Sequence, residues 1–332
     1  MERSSYALLL VAIFIGLYQN LDTLLGTRYG VKGKCAVVTG ASSGIGVSIA
    51  EALAEEGVSK IIVAARRFKK LSKVAETMKR KYPNTETIAV KVDVLSKSDR
   101  VELRKIADEK FGDKCVTILV NNAGVEYWHP FETLPDEKLD QQINVNLLSL
   151  MKMTKDFLPR ILKARAGHIV NIASQAALFA VPYGQAYAAS KAGVRGFTKG
   201  IRAEFRHRGK ITVGVVLPGY ISNTGMYADM QKNSEKKGFE NLDEYVWYNK
   251  YFVGSSDPYD SSKAVIDSIK YDVPEVNVNY LFGANINRLH STISEIFPRV
   301  WDWVLPNIMV KPVEFTMKLA KLRETEDTFS GK

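Results

Sequence analysis

Short runs of β-branched and aliphatic residues recur along the chain, separated by longer stretches rich in lysine and glutamate. The runs are CAVVT at 35–39, KIIVAA at 60–65, TIAVKVDV at 87–94, VTILV at 116–120, HIVNIAS at 168–174 and ITVGVVL at 211–217. They are short, β-branched and mostly apolar without strict alternation, so they predict strands buried on both faces. Between them, Arg67–Lys81, Lys97–Lys110 and Gln185–Arg206 read as helices. Such alternation from Lys34 to about Leu217 predicts βαβ units and an α/β fold with a doubly wound parallel sheet. No Pro/Gly/Ser linker and no internal repeat interrupts the pattern. The expected organisation is an N-terminal segment over 1–30, one main domain over 31–280 and a C-terminal helical extension over 281–332.

The two ends carry apolar stretches of another kind. Tyr6–Tyr18 (YALLLVAIFIGLY) is unbroken, and Ser4 to Leu21 carries no charge. A membrane span needs about 20 mostly apolar residues, so this run is borderline for one. It reads as an anchor or a monotopic insertion; a buried core helix and a cleaved signal peptide are the alternatives, the last weakened by the lack of an Ala-x-Ala-like site after Tyr18. Arg28, Lys32 and Lys34 follow the run, which leans toward a cytosol-facing main domain by the positive-inside rule. Near the other end, Ile296–Val310 (IFPRVWDWVLPNIMV) sets two tryptophans among aliphatics. It suits a bilayer surface, a cap on a pocket or a subunit interface equally.

Charge and cysteine content narrow the classes. Lysine and arginine number 46 against 36 acids, a net charge of +10. That balance suits an anionic ligand or an anionic membrane; no Lys/Arg run or RNA-binding signature accompanies it, so nucleic acid is not expected. Cys35 and Cys115 are far apart and belong to no CxxC or Cys/His cluster, so structural zinc and a disulfide framework are not expected. Each reads as a small core residue, in keeping with a reducing compartment. His129, His168, His207 and His290 show no metal or triad spacing, and no metal is expected.

After the first run comes Thr39-Gly40-Ala41-Ser42-Ser43-Gly44-Ile45-Gly46, followed by a helical pattern from Val47 to Glu56. Glycines at 40, 44 and 46 allow a tight turn and close approach to a pyrophosphate, and the helix N-terminus presents unpaired N–H groups to it. Strand before and helix after make this a Rossmann-type dinucleotide turn. At the end of the second strand, where NAD-binding folds place an acid, the chain reads Ala65-Arg66-Arg67. Two guanidinium groups suit the 2′-phosphate of NADP(H), the preferred cofactor, with NAD(H) the alternative.

Together with four further motifs, this turn resembles the classical short-chain dehydrogenase/reductase family over about Lys34 to Thr224. Thr39–Gly46 matches its TGxxxGIG pattern, bringing Gly40, Ser42, Ser43, Gly44, Ile45 and Gly46 to the cofactor. Asp93-Val94 resembles its adenine-contacting pair. Asn121-Asn122-Ala123-Gly124 matches NNAG, with Asn121, Ala123 and Gly124 as cofactor contacts. Tyr187-x-x-x-Lys191 matches YxxxK, and Ser174 and Asn146 stand at its other two catalytic positions. Pro218-Gly219, with Ile221 beyond, resembles the segment beside the nicotinamide. Two positions depart from the pattern: Asn223 stands where the family often has a threonine, with Thr224 one residue later, and Ser43 stands where many NADP-dependent members carry Lys or Arg.

Tyr187 and Lys191 share one helix face at i, i+4. A free phenol with a pKa near 10 holds its proton too tightly, and a nearby ammonium lowers that value, so Tyr187 is expected to be the general acid/base. By resemblance, Lys191 also holds the nicotinamide ribose and Asn146 supports a water relay. Ser174 is placed to hydrogen-bond the substrate oxygen as charge develops on it. Met226, Tyr227, Met230, Phe239, Tyr245, Trp247, Tyr248, Tyr251 and Phe252 crowd the segment after Pro218, which suits an apolar pocket or ordinary helix packing. The resulting expectation is an oxidoreductase on a lipophilic carbonyl or alcohol (steroid, retinoid, keto-sphingoid or fatty carbonyl) at the endoplasmic reticulum or another intracellular membrane. The alternatives are a soluble-type reductase of small ketones and a non-catalytic cofactor-sensing protein. A homodimer fits, dimers being the commonest closed assemblies.

Overall fold

The structure, a computed structural model, describes residues 29–113, 115–178, 184–221 and 255–278. Seven parallel strands form one sheet: β1 (Cys35–Thr39), β2 (Lys60–Ala65), β3 (Glu86–Lys91), β4 (Thr117–Asn121), β5 (Ala166–Ile172), β6 (Lys210–Pro218) and β7 (Glu275–Val278), in the order β3-β2-β1-β4-β5-β6-β7. The helices are α1 (Ile45–Glu55), α2 (Phe68–Lys81), α3 (Lys97–Phe111), α4 (Asp136–Ile143), α5 (Ser149–Ala164), α6 (Gln185–Phe205) and α7 (Pro258–Lys270). A π-helical turn, Asn144–Leu148, joins α4 to α5. Two-residue strands at Tyr220–Ile221 and Ser255–Ser256 pair separately.

Alternation along each strand divides the core between two layers. Ala36, Val38, Ile61, Val63 and Ile118 pack against Ile49 and Leu53 of α1, Leu71 and Met78 of α2, and Val265 and Ile269 of α7. Val37, Ile62 and Leu119 face the other way, onto Leu103 and Phe111 of α3 and Met153 and Phe157 of α5. Further along the sheet, α6 covers that second face: Val194 packs with Val215 and Leu217, and Phe205 with Ile211 and Val213. Burying each such side chain contributes about 1.5–3 kcal/mol, which is why runs with no polar face form strands here.

All six expected strands are present, and their ends differ by a few residues. The largest difference is at β3, which stops at Lys91: from Asp93 the chain turns, its carboxylate accepting from Leu95 N–H at 3.0 Å. Residues 1–28, 222–254 and 279–332 lie outside the described residues. The expectations for Tyr6–Tyr18, for the aromatic segment after Ile221 and for Ile296–Val310 fall there. Among the described residues no helix is long and apolar enough to cross a membrane.

The cysteine expectation is corrected. Cys35 and Cys115 form a disulfide, with Cα atoms 5.8 Å apart. The separation of 80 residues along the chain hid a spatial adjacency: β1 and β4 are neighbours in the sheet, with Cys35 in register with Thr117, two residues past Cys115. The bond withdraws the support that two free thiols lent to a reducing compartment.

Candidate active site

The sheet order reverses between β1 and β4, the switch point where doubly wound sheets form a crevice at their carboxyl ends. The glycine turn after β1 and the 121–124 turn after β4 meet there. Thr39 Oγ1 accepts from the Asn122 and Ala123 N–H groups at 3.0 and 3.1 Å, and Asn122 Nδ2 donates to Thr39 O at 2.9 Å. Asn122, which the motif reading passed over, is thus the side chain that locks the two turns.

Gly40 has φ +67°, and a Cβ there would stand 2.9 Å from Ala123 Cα. A Cβ on Gly46 would stand 2.5 Å from Gly40 O. Only hydrogen fits at either position, so the backbone lies open at the head of α1, with Gly44 as its N-cap. This cradle, with N–H groups of a helix start beside it, fits a dinucleotide pyrophosphate.

Arg66 and Arg67 are exposed at the end of β2. Arg67 reaches back over the turn: its guanidinium donates to Ser43 Oγ at 2.6 Å and, more weakly, to Ser42 Oγ at 3.3 Å. The Arg67 guanidinium, from the start of α2, thus lies against position 43. Val94, beyond Asp93, is buried and its carbonyl accepts from Arg100 at 2.9 Å.

The Asn121 side chain turns into the core, donating to Thr154 Oγ1 at 3.0 Å and Asn171 Oδ1 at 2.9 Å. It ties β4 to α5 and β5.

The four catalytic candidates converge at the carboxyl ends of β4 and β5. Asn146 is fully buried in the π-helical turn; Oδ1 accepts from Val125 N–H at 2.8 Å, and Nδ2 donates to Val125 O at 2.9 Å and Ser190 Oγ at 3.0 Å. Ser190 Oγ–H in turn donates to the backbone carbonyl of Tyr187 at 2.7 Å. Lys191 Nζ donates to Ile172 O at 3.0 Å and lies 5.5 Å from the centre of the Tyr187 ring. Gly124 packs between Asn146 and Lys191: a Cβ there would be 3.3 Å from Asn146 Oδ1 and 3.5 Å from Lys191 Nζ. Ser174 caps a short turn after β5, its Oγ accepting from Ala176 N–H at 3.2 Å, and it hydrogen-bonds the Tyr187 phenol. Gly219 N–H donates to Val278 O at 3.1 Å, and Ile221 is buried beyond it.

The electrostatics differ from the simple expectation for a Tyr/Lys pair. Burial pushes the Tyr187 phenol above its ordinary value, Glu126 pushes it further, and the Ser174 hydrogen bond opposes both. Burial also lowers the pKa of Lys191, to about 8, with Glu126 opposing. Glu126 is the group that motif reading missed. It sits just after the NNAG segment, and its carboxylate accepts from Trp128 Nε1 at 2.5 Å. Among the described residues no group of His, Cys, Asp and Glu is arranged to hold a metal.

Comparison with known proteins agrees with this geometry. The short chain dehydrogenase family model matches residues 34–235. The chain is 32% identical over 277 residues to the ketoacyl reductase HetN of Nostoc, covering 82% of this chain and 89% of that one. It is 35% identical over 228 residues to very-long-chain 3-oxoacyl-CoA reductase-A of Danio rerio, covering 64% and 69%. A variant of actinorhodin polyketide ketoreductase, solved with NADPH, superposes with a TM-score of 0.67 at 30% identity, covering 74% of this chain and 96% of the other. With strand order, glycine turn and Tyr/Lys pair all in place, the chain belongs to the short-chain dehydrogenase family of oxidoreductases.

Proposed function

We propose that the protein is an NADP(H)-dependent oxidoreductase that interconverts a carbonyl group and an alcohol on a lipophilic, membrane-borne substrate. The observation that carries this reading is the convergence of Tyr187, Lys191, Ser174 and Asn146 beside the glycine cradle. The relatives named for ketoacyl and very-long-chain 3-oxoacyl-CoA reduction favour a fatty 3-oxo carbonyl over the steroid, retinoid and keto-sphingoid alternatives. The uncharged stretch from Ser4 to Leu21 supports work at a membrane of the endoplasmic reticulum type.

In this reading the Gly40–Gly46 turn, with Ser42, Ser43 and Ile45, and the head of α1 hold the pyrophosphate. Arg66 and Arg67 take the 2′-phosphate; Asp93 and Val94 flank the adenine. Ala123, Gly124, Lys191, Pro218, Gly219 and Ile221 border the nicotinamide half. NADPH when bound supplies the hydride. The chain supplies the proton: the Tyr187 hydroxyl gives its hydrogen to the carbonyl oxygen as negative charge grows there, while Ser174 Oγ–H donates a hydrogen bond to the same oxygen. Lys191, held by Ile172 O, stabilises the phenolate that remains.

NADPH and NADH oxidation by the purified full-length protein tests this against a carbonyl panel. The panel holds a 3-oxoacyl thioester, a retinal, a 3-ketosteroid, a keto-sphingoid, a long-chain ketone and a small diketone. NADPH-linked turnover of a long-chain member is expected. Turnover of the diketone alone assigns a small-ketone reductase instead, and silence throughout with NADPH bound favours the oxidative direction or a cofactor-sensing protein. Carbonate washing of membranes from expressing cells should leave the protein in the pellet; release into the supernatant removes the membrane from the reading.

A further inference from the structure

In a parallel sheet the covering helices end, and the next strands begin, at one edge. At this amino edge several exposed acids are already matched: Glu55 pairs with Lys81, Glu86 with Lys60, Asp113 with Lys163 and Glu204 with Arg208, while Glu109 is not. The exposed cations Lys32, Lys79, Arg80, Arg165, Arg206 and Lys210 have no ion-pair partner among the described residues. A helix C-terminus favours cations, which accounts for Lys79 and Arg80 at the end of α2. Lys32, Arg165, Arg206 and Lys210 stand outside the helices. Two of their turns touch, Lys210 N–H donating to Arg165 O at 2.8 Å. The opposite edge differs in sign: among the described residues its turns carry Asp93, Glu126, Glu132 and Asp257 against Arg66 and Arg67. The chain also enters the domain at the amino edge. Tyr29 N–H donates to Lys270 O at the end of α7 at 2.8 Å, its ring meets that of His168 edge-on at 5.5 Å, and Gly33 N–H donates to Gly57 O at 2.8 Å. Tyr29 follows closely on Leu21, where the uncharged stretch from Ser4 ends. Fully extended, the chain between them reaches about 28 Å. The sheet is itself about 20 Å from edge to edge, so a domain turned over would need that tether almost straight.

We propose that the amino edge of the sheet is a docking surface for an anionic phospholipid leaflet, and that the nucleotide crevice therefore opens away from the bilayer. The inference rests on the membrane part of the reading above and adds an orientation to it. Attraction between a cation and a charged leaflet fades within a Debye length, about 8–10 Å. Cations spread along one edge therefore act together only when that edge faces the lipid. The acidic turns of the other edge are repelled by the same leaflet, so both signs favour one orientation. The short tether from Leu21 to Tyr29 delivers the same edge to the membrane. NADPH then reaches the Gly40–Gly46 turn from the aqueous side.

The test reconstitutes the full-length protein into vesicles of phosphatidylcholine alone and of phosphatidylcholine mixed with phosphatidylserine. An uncharged acetylating ester is added, and modification of each lysine is followed by mass spectrometry. Lys32, Lys79 and Lys210 should react several-fold more slowly in the mixed vesicles than in phosphatidylcholine alone. Lys69 and Lys97, exposed at the starts of α2 and α3 on the other edge, should react equally in both. High salt should abolish the difference. The triple change Arg165→Glu/Arg206→Glu/Lys210→Glu should likewise remove the protection of Lys32 and Lys79, with unchanged NADPH binding as the sign of an intact fold. Lys32→Glu/Lys210→Glu, followed at Lys79, carries the test if the triple variant does not fold. Equal rates at Lys32, Lys79 and Lys210 in both vesicle types, or slowing at Lys69 and Lys97 instead, overturn the proposal; a protein that nonetheless stays with the vesicles through a carbonate wash keeps the membrane reading. Release from both vesicle types by carbonate overturns both.

Discussion

Asn146 holds Val125 by both of its backbone groups, accepting from the N–H at 2.8 Å and donating to the carbonyl at 2.9 Å. A side chain from the π-helical turn thereby substitutes for a strand partner and fixes the loop that leaves β4. Asn146→Ala should leave these two groups and Ser190 without that partner. The expected loss is about 1–3 kcal/mol per backbone group left unpaired. Denaturant unfolding should show a lower midpoint; an unchanged midpoint would mean the clamp contributes nothing.

Tyr187→Phe keeps the ring and removes the proton. Turnover should fall by about 10²–10⁴, while NADPH affinity stays within a few-fold of wild type. Single-turnover kinetics beside a binding titration separate the two quantities. Substantial residual turnover takes the phenol out of the proton transfer.

Arg66 and Arg67 are exposed cations beside Ser42 and Ser43. Charge-assisted hydrogen bonds contribute about 1.5–3 kcal/mol each, so the double change to alanine should weaken NADPH about a hundredfold or more. NADH affinity should stay nearly constant. An equal loss for both nucleotides would place the arginines elsewhere in the recognition.

His168, near the amino end of β5, is buried with Lys34 Nζ 2.5 Å from Nε2 and Thr212 Oγ1 2.7 Å from Nδ1. With Lys34 donating, Nε2 accepts and Nδ1 carries the hydrogen. Burial foremost, and the Lys34 charge next, lower its pKa to about 3. The unfolded chain binds a proton here below about pH 6.5 and the folded chain does not, so stability falls as pH drops from about 6.5 toward 3. The slope reaches at most about 1.4 kcal/mol per pH unit. His168→Gln should flatten the acid limb of a melting-temperature profile; an identical limb would assign acid sensitivity to other groups.

Reduction of the Cys35–Cys115 bond frees an 80-residue separation from closure. By chain entropy this costs about 4 kcal/mol, so dithiothreitol or Cys35→Ser should lower the melting temperature by several degrees. Melting curves unaffected by reductant would show the thiols to be unlinked in solution.

The six strands were legible because a strand buried on two faces has no polar position to disguise it. The seventh was not: β7 reads Glu275-Val276-Asn277-Val278, and its buried acid is balanced by Arg195 at 2.8 Å and Lys199 at 3.8 Å, partners that the sequence does not reveal. The catalytic quartet was legible from spacing and motif together. The roles of its neighbours were not, since Asn121 and Asn122 are adjacent in sequence yet one enters the core and the other locks the glycine turn. Glu126 carries no signature at all; only the fold buries it beside the catalytic helix, where it acts on the Tyr187 phenol.

The disulfide joins β1 to the approach of β4, so everything between them is a closed covalent ring: β2, β3, α1, α2 and α3, with the glycine turn and both arginines. A protease that cuts one exposed bond within 36–114 opens this ring but detaches nothing. The nicked protein would run as one band without reductant and as two with it, and its nucleotide-facing half would stay tethered at both ends to the sheet.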